Sequence, residues 1–123
     1  MPKGGACGFI VDAWRAGLFT ACLSNALAYE YDDVLSRKLS ERRWYVIRPL
    51  LAELVGNHAE FVTIRFSWRP SSPDGGDEHI IDCAMNTNAP IITSNERDFR
   101  EAERSRRLKV MTPVRFLEYL VNQ

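Results

Sequence analysis

Apolar residues recur along this chain in short blocks, and their spacing changes from block to block. Phe9, Ile10, Ala13 and Trp14 fall at i, i+1, i+4 and i+5, one face of a helix, and Gly17 stands where that helix would stop. A short buried strand over Gly8-Phe9-Ile10-Val11-Asp12 is the other reading; the continuation through Ala13-Trp14-Arg15-Ala16 favours the helix. Phe19-Thr20-Ala21-Cys22-Leu23, a compact run with aromatic and β-branched members, predicts a strand. Ser24 or Asn25 then sits where an N-cap belongs, ahead of Leu27, Tyr31, Val34 and Leu35 at helical spacing. Ser40 and Glu41 open a further helix with Trp44, Ile47, Leu51, Leu54 and Val55 as its apolar positions. Pro49 should kink or split it, because proline gives up one helical hydrogen bond and clashes with the preceding turn. Gly56-Asn57 is its expected end.

In the second half, Phe61-Val62-Thr63-Ile64-Arg65-Phe66 is the strongest strand signal, followed by the breaker-rich loop Pro70-Ser71-Ser72-Pro73-Asp74-Gly75-Gly76. A helix is expected from Asp77 to about Asn86, with Ile80, Ile81 and Ala84 on one side. Ala89-Pro90-Ile91-Ile92-Thr93 reads as a short strand whose proline sits at its start, where a missing donor matters least. Leu108-Lys109-Val110-Met111 is a candidate last strand. Thr112-Pro113 is an N-cap followed by proline at the first helical position, and Phe116, Leu117 and Leu120 give the closing helix its face. Strands that alternate with helices, none close enough in sequence for a tight hairpin, are the mark of a parallel α/β sheet with right-handed crossovers.

Composition narrows the class. The 123 residues, 46% hydrophobic and 26% charged, suit one ordinary globular domain over residues 1–123, with enough core to need no staples. Sixteen basic residues balance sixteen acidic ones, so any polyanion binding must come from a local patch. Cys7, Cys22 and Cys83 are widely spaced and odd in number, which argues against a disulfide framework or a zinc site and for a reducing compartment. His58 and His79 are too few for a histidine-rich metal centre. No apolar run approaches a membrane span or a signal-peptide core, so a soluble, cytoplasmic protein is expected.

In parallel α/β sheets ligands bind beyond the carboxyl ends of the strands. The polar residues expected there are Glu30 in the helix after the strand Phe19–Leu23, Asp77 opening its helix, and Asn95 with Asp98 after the strand Ala89–Thr93, while Asp74 lies in the loop before Asp77. Carboxylates gathered without cysteine or histidine would favour a hard divalent cation such as Mg²⁺ or Mn²⁺. Each residue also has a plain structural explanation. Glu30, within Tyr29-Glu30-Tyr31-Asp32-Asp33, fits a solvated helix face; Asp77 fits a helix N-terminal acid favoured by the dipole; Asn95 and Asp98 fit turn and cap positions.

Five segments taken in order resemble the PIN-domain family, in particular the subgroup of toxin components of bacterial toxin–antitoxin pairs. They are Asp12 to Phe19, Leu27 to Leu35, Pro73 to Ala84, Ile91 to Phe99 and Met111 to Leu117, and they span nearly the whole chain. The resemblance implies a three-layer α/β/α fold with a central parallel sheet, an acidic pocket and metal-dependent hydrolysis of RNA. It places Glu30 as the acid of the helix after the second strand, and Asp77 as the acid opening the helix before the last core strand. Asn95 takes the third place of a Thr-x-Asp/Asn motif, with Asp98 before the phenylalanine that often follows it. Glu30, Asp77 and Asp98 would then hold Mg²⁺ or Mn²⁺, with Asn95 assisting.

The family's opening strand, which ends in Asp-Thr-Asn, has no counterpart here, since Met1 to Ala6 matches the loop after it. A central strand and its acid are therefore expected to be missing. That deficit would follow from a misplaced start codon, from an inactive truncation, or from completion by a partner chain, and an incomplete sheet would favour a homodimer. Asp12 substitutes for the lost acid only if residues 9–16 are not helical. For the substrate, Arg97, Arg100, Arg104, Arg106, Arg107 and Lys109 stand against Asp98, Glu101 and Glu103, a local charge of +3 over residues 97–109 that would suit an RNA backbone or, equally, a solvated helix. Trp68 and Arg69 are candidates to stack on bases, or for Trp68 to cap the core. The expected partners are RNA and an antitoxin protein.

Overall fold

The protein, seen in a computed structural model, is described over residues 5–65 and 78–122, apart from the side chains of Cys7 and Arg106. Its first element is α1 (Gly5–Arg15), so the helical reading of residues 9–16 holds and Asp12 lies exposed on it. The stop at Gly17 is a Schellman turn. Gly17 N–H donates to the Trp14 carbonyl and Leu18 N–H to the Ala13 carbonyl, both at 3.0 Å, with Gly17 at φ +78°.

The chain continues through β1 (Ala21–Leu23), α2 (Asn25–Lys38), α3 (Glu41–His58), β2 (Ala59–Phe61), α4 (Glu78–Met85), β3 (Ile91–Ile92), a 3₁₀ turn over Glu96–Phe99, α5 (Arg100–Arg106), β4 (Val110–Met111) and α6 (Pro113–Val121). Local capping sets three of the helix starts. The hydroxyls of Ser24, Ser40 and Thr112 accept from the backbone N–H groups of Leu27, Arg43 and Arg115 at 3.1, 3.2 and 3.2 Å. Of the kink or split expected at Pro49, α3 shows no split, and its end lies beyond the expected one. It runs through Pro49 as one helix, and it overruns Gly56-Asn57 to His58. The group deprived of a donor by Pro49 is the carbonyl of Tyr45, a residue 82% exposed, where water can take the place of the missing N–H.

Because α3 passes directly into β2, the second strand begins earlier than the hydrophobic run Phe61–Phe66 implies. β2 pairs parallel with β1 in the register Ala21↔Ala59, Cys22↔Glu60 and Leu23↔Phe61, and Val62 N–H continues the ladder to the Leu23 carbonyl at 2.8 Å. Residues 62–65 then leave regular structure. β3 and β4 also pair in parallel, Ile91↔Val110 and Ile92↔Met111, flanked by Ile91 N–H to the Lys109 carbonyl and Thr93 N–H to the Met111 carbonyl. Among the described residues the strands thus form two separate parallel pairs in a largely helical chain.

α4 joins the two halves of the core. Ile81 and Ala84 pack with Ile91, Phe99, Ala102 and Val110, while Cys83 packs with Leu23 and Leu27, and Ile80 touches both clusters. α1 is tied down separately, against α3 and α6. The Trp14 indole N–H donates to the His58 carbonyl at 2.8 Å, and Phe19 meets the Phe116 ring edge-on at 5.0 Å.

Candidate active site

The site grows from the junction of β1 and α2. Ser24 caps α2 from a buried position immediately after β1, so α2 starts directly beyond the carboxyl end of that strand. Glu30 lies on the second turn and is half-buried. Its Oε2 is 3.6 Å from Nε2 of His79 on α4, and both side chains are 32% exposed. This contact between helices removes Glu30 from the category of a freely solvated helix acid. Sequence reasoning missed His79, because a lone histidine beside two isoleucines carries no signal until α2 and α4 are packed together.

Asp77, with Asp74, Trp68 and Arg69, lies outside the described residues. The helix it precedes carries two further acids that the sequence did not single out, Glu78 and Asp82, both buried at 6% exposure and both with polar or electrostatic partners. They stand one turn apart on α4, and the Asp82 carbonyl accepts from the Asn86 amide at 2.7 Å. Burial of an ionisable group costs several kcal/mol unless it is compensated, so the placement of these acids is a structural investment on the α2-facing helix. The pattern Glu-x-x-x-Asp within an otherwise apolar helix is the signal that would have found them.

Next to Asp82, the Cys83 thiol is pushed up in pKa by burial, against the opposing effect of its hydrogen bonding to Ser24. Cys22 is raised in the same direction, first by burial and then by the charge of Glu60 and the neighbouring Cys83. Both are free cysteines held as neutral thiols.

Asn95 and Asp98 follow β3 and are bonded to each other within one turn. Asn95 N–H donates to Thr93 Oγ1 at 3.0 Å, the Asn95 side-chain amide donates to Asp98 Oδ2 at 2.7 Å, and Asp98 N–H returns to the Asn95 carbonyl at 3.3 Å. Asn95 is exposed and Asp98 half-buried. Oxygen donors of this kind suit a hard cation. Among the described residues, however, no group of three His, Cys, Asp or Glu side chains comes together to hold a metal ion.

The basic stretch of residues 97–109 is divided by the β3–β4 crossover. Arg97 and Arg100 stay near the carboxyl end of β3, and Arg104 pairs with Glu101 at 3.6 Å on the exposed face of α5. Arg107 and Lys109 instead lie at the amino end of the strand pair, where they line a hollow with Asn88 and Ala89. Arg107 ends α5 in the left-handed region at φ 56°. No helix among the described residues is long and apolar enough to cross a membrane.

Comparison with known proteins agrees with this layout at the level of the family. A family model described as PIN domain matches residues 1–98, which takes in Glu30, the start of α4 and the Asn95–Asp98 turn. No curated protein and no solved structure matched the chain.

Proposed function

We propose that this chain, which belongs to the PIN-domain family, is a metal-dependent ribonuclease that acts as the toxin of a toxin–antitoxin pair. PIN domains are generally nucleases and typically depend on divalent metal, and the match over residues 1–98 supports a nuclease reading. The observation that carries it to particular residues is Glu30. Supporting it are the half-burial of this carboxylate, its contact with His79, and its position in the helix that directly follows β1, since parallel α/β folds bind ligands beyond the carboxyl ends of their strands.

Glu30 and Asp98 are the described carboxylates of the proposed site, and Asp77 completes the set from its position in the sequence. These three would hold Mg²⁺ or Mn²⁺. A bound divalent cation supplies an activated water and neutralises charge on the leaving oxygen. Hydrolysis would join the water's oxygen to phosphorus, break the bond from phosphorus to the leaving nucleotide oxygen, and transfer the proton given up by the water to that leaving oxygen. Asn95 commits its amide N–H to Asp98, so its carbonyl oxygen is the atom that coordinates or orients water. His79 steadies the Glu30 carboxylate. Arg97 and Arg100 are the cations best placed to meet the RNA backbone near this end, and Arg104, Arg106, Arg107 and Lys109 extend the charge along and beyond α5. The cytoplasm, as the compartment of RNA and of an antitoxin partner, is where this activity belongs.

A second reading, a PIN-like module that binds RNA or an antitoxin without cleavage, is favoured by one observation. Among the described residues the ligating side chains form pairs, not a group of three, and Asn95 adds no charge where an acid would. Cleavage of single-stranded RNA by the full chain, with Mg²⁺ or Mn²⁺ and then with chelator, separates the two. The nuclease reading expects cleavage only with metal and its loss in Asp77→Asn. Unchanged cleavage in Asp77→Asn removes Asp77 from the site, and intact RNA throughout favours the binding module.

A further inference from the structure

We propose that the groove between α2, α3 and the end of β2 receives one unpaired nucleobase of a single-stranded RNA, clasped by Tyr29 and Phe61 with Arg48 at its rim. The groove holds about 360 Å³ and is lined by Asn25, Ala28, Tyr29, Asp32, Arg48 and Phe61. It opens at the carboxyl end of the β1–β2 pair: Asn25 follows β1, and Phe61 is the last residue of β2. Asn25, Ala28, Tyr29 and Asp32 line it from one face of α2, while Glu30 meets His79 from another face of the same helix, so a base seated here is a contact separate from the carboxylate proposed for the reaction.

Three features point to a base. Tyr29 is 78% exposed and Phe61 51% exposed, so two aromatic rings that the core leaves unused flank one small cleft. Aromatic rings stack on any base, and each stacking is worth about 1–3 kcal/mol. The remaining lining suits a base edge, with the Asn25 amide as donor and acceptor and Asp32 as acceptor. Arg48 lies at the rim, 4.0 Å from Asp32 and with its guanidinium carbon 6.0 Å from the Trp44 ring centroid. An exposed guanidinium there can lie over a base or meet its phosphate. A protein partner fits less well, since a stable interface takes about 800 Å² from each side.

This inference rests on RNA being the substrate class, and its test does not require cleavage. The full chain, with chelator present, is titrated against a labelled single-stranded RNA oligonucleotide and against the same sequence as a duplex. Tyr29→Ala and Phe61→Ala should each weaken single-strand binding by about 5- to 150-fold and leave duplex binding unchanged. Tyr29→Phe and Phe61→Tyr, which keep the ring, should bind as the parent does. Unchanged thermal melting of the alanine variants shows that folding is intact, as expected for exposed side chains. No single-strand binding by the parent, wild-type binding by both alanine variants, or equal losses on single strand and duplex overturns the proposal. Complete displacement of the RNA by a mononucleotide at equal concentration also overturns it, in favour of a free-nucleotide pocket. Binding that depends on the two rings in a chain that never cleaves leaves this groove standing and removes the nuclease reading.

Discussion

At Gly17 a single backbone angle carries a junction. A residue with a Cβ at φ +78° pays the left-handed penalty of about 1–2 kcal/mol, and the His58 ring lies 3.6 Å from where that Cβ would be, which is ordinary contact. Gly17→Ala is therefore expected to destabilise by about 1–2 kcal/mol through the backbone alone, read by denaturant unfolding; no loss would mean that the Schellman turn is dispensable. Cys22 and Cys83 give a second prediction. Burial raises both thiol pKa values in the folded state, so the unfolded chain ionises first as pH rises. Their stabilising contribution is full below the ordinary thiol pKa of about 8.5 and is lost as pH climbs from there through the folded values. A C22A/C83A variant should show a flatter alkaline decline in stability than the parent, and an equally steep decline would place its origin elsewhere.

At the scale of elements, what the sequence made legible was what is decided locally. Ser24, Ser40 and Thr112 cap their helices because the accepting hydroxyl and the donating N–H lie three residues apart, so no distant part of the fold is consulted. Strand limits were not legible in the same way. Phe61–Phe66 has the strongest β composition, yet the ladder is built on Ala59–Phe61, because pairing depends on what β1 offers across the gap and on where α3 ends. The expected kink or split at Pro49 takes the full cost of the proline without knowing which side of α3 faces solvent. Since it occupies an unbroken helix beside exposed Tyr45, Pro49→Ala should stabilise the protein by up to about 3 kcal/mol; thermal unfolding checks this, and a loss of stability would show that the proline fits its site.

At the scale of the whole molecule, α4 is the element on which the two strand pairs and the candidate site converge. Its apolar side reaches both core clusters through Ile80, and it presents His79 to Glu30 while burying Glu78 and Asp82. Glu30 was legible as a candidate because its position after a strand is readable from sequence. Its contact with His79 and the burial of Glu78 and Asp82 were not, because they exist only once α2 and α4 pack. The +3 stretch was legible as charge but not as place, since the crossover carries Arg107 and Lys109 to the opposite end of the β3–β4 pair from Asp98.

Glu30 is the carboxylate on which the proposed metal-dependent RNA hydrolysis depends. The direct test is the rate of single-stranded RNA cleavage by the full chain with Mn²⁺, for the parent and for Glu30→Gln, which keeps the size of the side chain and removes its charge. The parent is expected to cleave only with metal, and Glu30→Gln to lose cleavage by at least about a hundredfold while melting at the parent's temperature, as for a group acting on the reacting phosphate. Cleavage by Glu30→Gln at the parent's rate, or cleavage by the parent that persists in chelator, would contradict this mechanism.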